Sequence, residues 1–373
     1  MKNITLKLAW ANLTHRPINS MLVISTLAAA IALFSMLLQA GGYAEQRVQK
    51  DLAGVDLVVG AKGSPIQLIL SSLLHLDVPT GNIPLKEAQS LMLDPQVKRA
   101  VPLALGDNFR GFRIVGTISN FLDLYQAELS TGMLWRGPQE VVIGAAVNRS
   151  LDMQVGQSFY GAHGLSQSEK SLTQHDHAPY KVTGVLAPTG SVLDRLILTP
   201  IESVWEAHGQ TSHEEHAHSE SHDHDEHNDH ELDDISELSP EGKEVTALLI
   251  QYASPIAALR LPRMINAQAG FQAAAPALEV TRLFSLSSNF TSAGKAIAAL
   301  LILIGGLSIF VAVSSAVASK QYDIALIRAM GARPSFIFLQ QLVEGMLIAT
   351  VSALVGIFFA HFALFSAYQV YEP

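Results

Sequence analysis

Cysteine is absent from all 373 residues. Disulfides, thiolate ligands and a cysteine nucleophile are thereby excluded, and every compartment stays open. Charge is the second scarcity. Asp, Glu, Lys and Arg make up 15% of the chain, against about a quarter in a soluble domain. The deficit is local: residues 17–44, 296–319 and 345–371 contain none of the four. Crossing about 30 Å of hydrocarbon takes roughly 20 apolar residues as helix, and each run is long enough. A buried core helix is the competing reading, but such a helix usually turns one charged side to water. His361 is the one histidine in the three runs. A cleaved signal peptide has an apolar core of about 7–15 residues, and the stretch Ile18–Ala40 is longer.

Two further absences narrow the function. No G-x-x-x-x-G-K-[ST] motif occurs; in "GAKGSPIQLIL" Lys62 precedes Gly63, so the phosphate-cradling order fails. No basic stripe with interleaved aromatics is present, which argues against a nucleic-acid partner. The net charge of −9 belongs to one segment. Residues 206–244 hold 14 acidic residues and one lysine, a balance of −13, so the rest of the chain carries +4.

The basic residues order the spans. Lys2, Lys7 and Arg16 precede the first run, and Lys320, Arg328 and Arg333 lie between the second and third. Short basic loops stay cytoplasmic. The expected orientation is N-terminus inside, residues 45–294 outside and 320–343 inside. The N-terminal stretch "ITLKLAWANLTH" mixes Ile4, Leu6, Leu8 and Leu13 with Lys7 and Asn12. An amphipathic helix on the inner membrane surface is one reading, an unstructured positive flank the other. The third span ends at "YQVYEP", and the expectation is a chain cut short or a fragment of a longer one.

The long segment reads as α+β. "VDLVVGA" (55–61), "FRIVGTI" (112–118), "EVVIGA" (140–145), "YKVTGVL" (180–186) and "VTALLIQY" (245–252) are short, β-branched and bounded by breakers. Residues 84–93 and 254–268 read as helices, the second capped by Ser254 with Pro255 at its first position. The mixed order speaks against a doubly wound parallel sheet. Two subregions are expected, a mixed sheet from 45–110 with 240–290 and a β-rich lobe over 111–200. Gly60, Lys62, Gly63, Ser64 and Pro65 make either a turn before an apolar helix or a contact surface for a substrate or a periplasmic protein.

"HEEHAHSESHDHDEHNDHE" carries His213, His216, His218, His222, His224, His227 and His230. Its low apolar content and charge predict disorder. Imidazoles among carboxylates suit zinc or another transition metal, yet no H-E-x-x-H spacing fixes a centre. Loose metal capture and a solvated polar linker both stand. A smaller "HDH" at 175–177 joins a metal route with His163 or is a polar loop.

Between the last two runs lies "KQYDIALIRAMGARPSFIFLQQLVEG". Ile324, Leu326, Ile327 and Met330 give helical apolar spacing. Gly331 stands where a helix end favours a left-handed residue, Arg328 suits that terminus, and Pro334 can open the next helix. A short helix on the inner side is predicted, placed to touch a partner.

This segment resembles the signature of the FtsX/MacB-type permeases of ABC transporters. An acidic residue, an Ile-Ala pair, a basic residue, Ala-x-Gly and a later Glu recur there, here Asp323, Ile324, Ala325, Arg328, Ala329, Gly331 and Glu344. The first span, led by "LAWANLTHRPINS", is similar to the family's start. The resemblance implies a multi-pass protein of the bacterial inner membrane, surrounded by lipid and paired as a homo- or heterodimer with a second permease copy. It also implies an ABC ATPase subunit that binds the ATP, while this chain catalyses nothing and holds no cofactor of its own. Family members convert ATP-driven dimerisation inside into motion of the outer domains. The departures are Asp323 in place of Glu, a fourth span not present here, and the histidine insert. The expected layout is an amphipathic N-terminal helix (1–17), spans at 18–43, 294–319 and 334–368, an extracytoplasmic domain (44–293) and a cytoplasmic coupling helix (320–333). The alternative is a membrane-anchored periplasmic metal-binding or sensor protein with no ATPase partner.

Overall fold

A computed structural model of the chain describes residues 11, 17–52, 54–163, 179–207, 239–319, 321–329, 331 and 334–371. The chain divides into two compact units, Met1–Glu45 with Ser285–Glu372, and Gln46–Phe284. Helix α1 (Pro17–Leu52) opens the described part. Pro17 starts it, where a missing N–H costs nothing.

The second unit is α+β. In chain order it runs β1 (Leu57–Ala61), α2 (Pro65–Ser72), β2 (Ile83–Pro84), α3 (Leu85–Met92), β3 (Val97–Phe109) and β4 (Phe112–Thr117). Next come α4 (Asn120–Leu124), β5 (Leu129–Gly132), β6 (Glu140–Ile143), α5 (Ala145–Leu151), β7 (Ser158–Phe159) and β8 (Ala162–His163). Then follow β9 (Tyr180–Leu186), β10 (Leu196–Pro200), α6 (Ile201–Ala207), β11 (Glu244–Val245), β12 (Ala247–Tyr252), α7 (Ala257–Asn266) and β13 (Phe271–Ala274). The main sheet has the order β13, β1, β12, β3, β4, β10, β6, β9, β5, with β7 on β9 and β8 on β3. Antiparallel pairs dominate, and β10 with β4 and β6 with β9 are parallel. A doubly wound parallel sheet is thus absent among the described residues.

Strand β3 joins two half-sheets. Its first part, Val97 to Leu103, pairs with β12, and its last part, Ala104 to Phe109, pairs with β4. The division into two subregions therefore holds, with one 13-residue strand common to both. In the second half-sheet alternate residues feed different cores. Val115, Val142 and Leu198 join the large cluster, and their neighbours Ile114, Ile143 and Ile197 join the small one. Side chains alternate faces along a strand, so this half-sheet is covered on both sides.

Strands β3, β10 and β13 are not among those the sequence pattern predicts. Lys98, Arg99, Pro102, Gly106 and Asp107 interrupt the β pattern of β3, and pairing on both sides overrides that local signal. The helix expected over 254–268 starts later, at Ala257, and the Ser254 side chain caps nothing. Ser254 and Pro255 form a turn in which Ala257 N donates to Ser254 O at 3.0 Å. The buried seam of Ala257, Leu261 and Ile265 sets the helix phase instead, and Pro262 falls inside the helix.

The first unit consists of helices. Beside α1 it holds most of α8 (Pro276–Ser319), then α9 (Gln321–Ala329) and α10 (Pro334–Tyr371). Among the described residues three stretches are long and apolar enough to cross a membrane: Ser20–Gln39, Ser292–Val311 and Pro334–Ser366. Their outer faces are apolar; Leu303 and Phe310 are both 68% exposed. Hydroxyls in the spans bond to carbonyls one turn back, as Ser308 Oγ does to Ile304 O at 2.9 Å and Ser352 Oγ to Ile348 O at 2.8 Å. Lipid offers no partner, so such internal satisfaction is required.

Helix α1 packs against both other spans through glycines. A Cβ at Gly305 would lie 2.7 Å from Leu27 Cδ1, and one at Gly356 would lie 2.6 Å from the Ala28 carbonyl oxygen. The Ala28 contact is backbone and cannot yield. Gly356→Val is expected to cost about 1–3 kcal/mol, read as a lower melting temperature of the detergent-solubilised chain. An unchanged melting temperature would contradict this packing.

Candidate functional site

Helix α9 has nine residues and lies between two spanning helices. Ala325, Arg328 and Ala329 are exposed, and Tyr322 is 82% exposed. Gly331 has φ of +95°, and its N–H donates to Arg328 O at 3.0 Å. A side chain at that φ is strained, so glycine is what lets the chain leave the helix and enter α10 at Pro334 within a few residues. Arg328 lies in the last turn, where a cation meets the negative end of the helix dipole. Asp323 and Ile324 are helical, and their side chains lie outside the described set.

Glu344 does not join this surface. It lies ten residues into α10 and is 7% exposed. A carboxylate inside a spanning helix is costly unless partnered, and Glu344 is engaged. The structure thus places Ala325, Arg328 and Ala329 on the last two turns of α9 with Gly331 just past its end, and Glu344 buried in α10.

The segment from Gly60 to Pro65 is a strand-to-helix turn. Gly60 lies in β1. The Ser64 hydroxyl accepts from Gln67 N at 3.5 Å as the N-cap of α2, and Pro65 opens that helix. Lys62 is tied to the end of α7: its N–H donates to Gly270 O at 3.0 Å and its Nζ to Asn266 O at 3.3 Å.

His213, His216, His218, His222, His224, His227 and His230 lie outside the described residues, as do His175, His177 and the N-terminal segment 1–10. Among the described residues no three His, Cys, Asp or Glu side chains gather as a metal site. His163 pairs in register with Asp107 where β8 meets β3. A pocket of about 270 Å³ opens near both roots of the insert, lined by Asn82, Leu105, Val204, Trp205, Glu244 and Thr246. Its polar groups satisfy one another. Trp205 Nε1 donates to Glu244 O at 2.7 Å, Thr246 Oγ1 donates to Asn82 Oδ1 at 3.1 Å, and Leu105 N donates to Thr246 Oγ1 at 2.9 Å.

One polar site escaped the sequence. "SSLLHLD" reads as apolar helix, yet His75 follows the end of α2 with φ of +53° and is 8% exposed. Among the described residues neither ring nitrogen has a hydrogen-bond partner. Burial, with Arg113 and Arg195 nearby, lowers its pKa to about 3, so the ring is neutral. The Arg113 guanidinium donates to the Asp77 carbonyl oxygen in the same loop. No periodicity marks this site, because its members come from a loop, strand β4 and the short helical turn Val192–Arg195, far apart in sequence.

Residues 20–255 match the MacB-like periplasmic core domain, and residues 295–370 match the FtsX-like permease C-terminal domain. No curated protein matches. Among solved structures, the periplasmic region of MacB from Actinobacillus actinomycetemcomitans is similar at 11% identity, covering 64% of this chain and 98% of that one with a TM-score of 0.37. The extracellular domain of the noncanonic ABC-type transporter YknZ from Gram-positive bacteria is similar at 13% identity, covering 59% of this chain and 98% of that one with a TM-score of 0.32. The two domain matches and three helices apolar enough to span fit a bacterial inner-membrane protein. With the larger match alone spanning well over half of the residues, the chain belongs to the FtsX/MacB-type permease family of ABC transporters.

Proposed function

We propose that this chain is the membrane subunit through which a separate ATPase moves the α+β unit on the outer side of the inner membrane. The observation that carries the reading is α9, a short helix between two spans, closed by Gly331 in the left-handed conformation. In this reading the N-terminus and α9 face the cytoplasm, and α9 docks on the ATPase through Ala325, Arg328 and Ala329. Asp323 and Ile324 belong to the same helix. Displacement then passes into α10, which starts three residues after Gly331. Helices α1 and α8 run unbroken from the spanning segments into the chain of the α+β unit, and a stiff helix transmits motion along its axis. A ligand drives such motion only if it binds two states unequally; nucleotide in the partner supplies that bias. A second permease copy completes the complex. The work is export or extraction at the outer face, and the histidine-rich insert links it to a transition metal such as zinc.

Single-cysteine labelling tests the orientation, since the chain has no cysteine of its own. Ala325→Cys in sealed cells is expected to resist a membrane-impermeant maleimide and react after permeabilisation. Leu93→Cys, in the α+β unit and 71% exposed, should react at once. Labelling of position 325 from outside would remove the docking role of α9. Co-purification of a stoichiometric ATPase separates the proposal from a free-standing anchored sensor.

A further inference from the structure

The last turn of α1, within the unit Gln46–Phe284, carries a buried carboxylate that is only half satisfied. Asp51 is 4% exposed, and the Val192 N–H faces its carboxylate. Among the described residues its Oδ1 has no hydrogen-bond partner. A buried carboxylate without a partner is costly, and such a group in a native fold has a cause. A cation stands close by. Arg195 ends the short turn that Val192 begins, and its side chain is exposed. Among the described residues Arg195 has no ion-pair partner. Its neighbour Asp194 is engaged elsewhere: the carboxylate accepts from Thr189 N at 2.8 Å, Thr189 Oγ1 at 2.8 Å and Gly190 N at 2.9 Å. Arg47, on α1 itself, donates to Ser191 O at 3.4 Å. Both Arg47 and Arg195 are within electrostatic reach of Asp51. A second group short of partners lies on the same arginine: His75 is near Arg113 and Arg195, and β10 pairs β4 with Leu196 opposite Arg113.

We infer that Arg195 is a latch: in a second state of this unit its guanidinium turns inward onto Asp51 Oδ1 and ties the last turn of α1 to the turn that opens β10. The structure holds the unlatched state. An arginine fork matches a carboxylate, and pairing gains charge-assisted hydrogen bonds. It also gives up the hydration of an exposed guanidinium, and for a buried pair these two terms largely offset one another. The two states therefore lie close in free energy, and a small displacement of α1 is enough to shift the balance between them. Asp51 is well placed to feel one, because α1 ends at Leu52 and Gly54 then turns the chain toward β1 with φ of +69°. Strand β10 lies between β4 and β6 in the second half-sheet. The latch thus sets how firmly α1 grips that half-sheet, while β1 stays joined to α1 through the chain itself. The inference does not depend on what α9 touches.

Amide hydrogen exchange of the full chain in phosphatidylcholine nanodiscs tests this, read at the peptide covering residues 46–56. Four proteins are compared: the unaltered chain, Asp51→Asn, Arg195→Gln and the double variant. Asparagine keeps the shape of aspartate and an acceptor for Val192 N, and Arg195 is exposed, so both changes spare the core. Each single change is expected to speed exchange at least about fivefold, and the double change no further, because both remove one contact. The coupling should persist from about 50 mM to about 1 M salt, since a buried pair is screened much less than an exposed one. Arg195→Lys, which keeps the charge, should recover part of the protection. Exchange in the strand Tyr180–Leu186 should stay unchanged. Additive effects, no effect of Arg195→Gln, or coupling that vanishes at high salt would overturn the inference. So would an equal rise in the reference strand, which would mean a loosened fold, or non-additivity with Arg47→Gln alone, which would give the carboxylate to Arg47.

Discussion

Gly331→Val is expected to abolish stimulation of the partner ATPase while leaving the α+β unit folded. The glycine holds φ of +95°, and a β-branched residue there costs roughly 1–2 kcal/mol in that conformation. The chain relieves that strain by changing the path from Arg328 to Pro334, and this path sets the angle between α9 and α10. In the coupling proposed above, a lever whose angle is wrong transmits nothing, so the functional loss should far exceed the loss of stability. Arg328→Glu attacks the same step differently, placing an anion at the negative end of α9 and reversing the exposed charge offered to the partner. Nucleotide-dependent ATP turnover of the purified complex is the measurement, with a fall of at least about tenfold expected for each variant. Gly331→Asn is the control. Asparagine tolerates the left-handed region better than other residues, so it should retain most of the activity. Full stimulation in both Gly331→Val and Arg328→Glu would show that α9 is not the lever.

Acid should weaken the α+β unit through His75. The ring is buried, and its pKa falls from 6.5 to about 3 in the folded state. Above pH 6.5 the imidazole is neutral in both states and proton binding contributes nothing to the difference. As pH falls from about 6.5 toward 3, the unfolded chain takes up a proton that the folded one refuses. Stability drops by roughly 1.4 kcal/mol per pH unit across that window. Between pH 7 and pH 5 the loss is about 2 kcal/mol, a fall of roughly 4–8 °C in melting temperature for a unit of this size. His75→Asn removes the titrating ring and keeps a residue suited to φ of +53°. Its melting temperature should fall distinctly less over the same range. Parallel pH profiles for the two proteins would place the acid sensitivity elsewhere.

Legibility followed the range of the interactions. The strand Tyr180–Leu186 has the bounds the pattern predicted, and the helix over 84–93 is within a residue at each end. Both are periodic segments whose burial repeats at the spacing of the element itself. Strand β3 was not legible, because its 13 residues hold proline, glycine and charge and are kept extended only by neighbours on both sides. The candidate site divided the same way. The turn at Gly331 was legible, since a glycine after a cationic helix end is a local signal. The separation of Glu344 from Arg328 was not, since burial depends on which helices pack together.

The amino-acid order by itself determined three membrane-crossing helices, a mixed α+β body and a short charged helix between two spans. These follow from hydrophobic length, periodicity and turn chemistry, which act over a few residues. Tertiary structure alone decided that one strand joins two half-sheets, that His75 is buried beside two arginines, and that Lys62 meets the end of α7. Each of those brings together residues tens to hundreds of positions apart. Their free energy comes from contacts that exist only once the chain has folded, so no short window of sequence carries their signature.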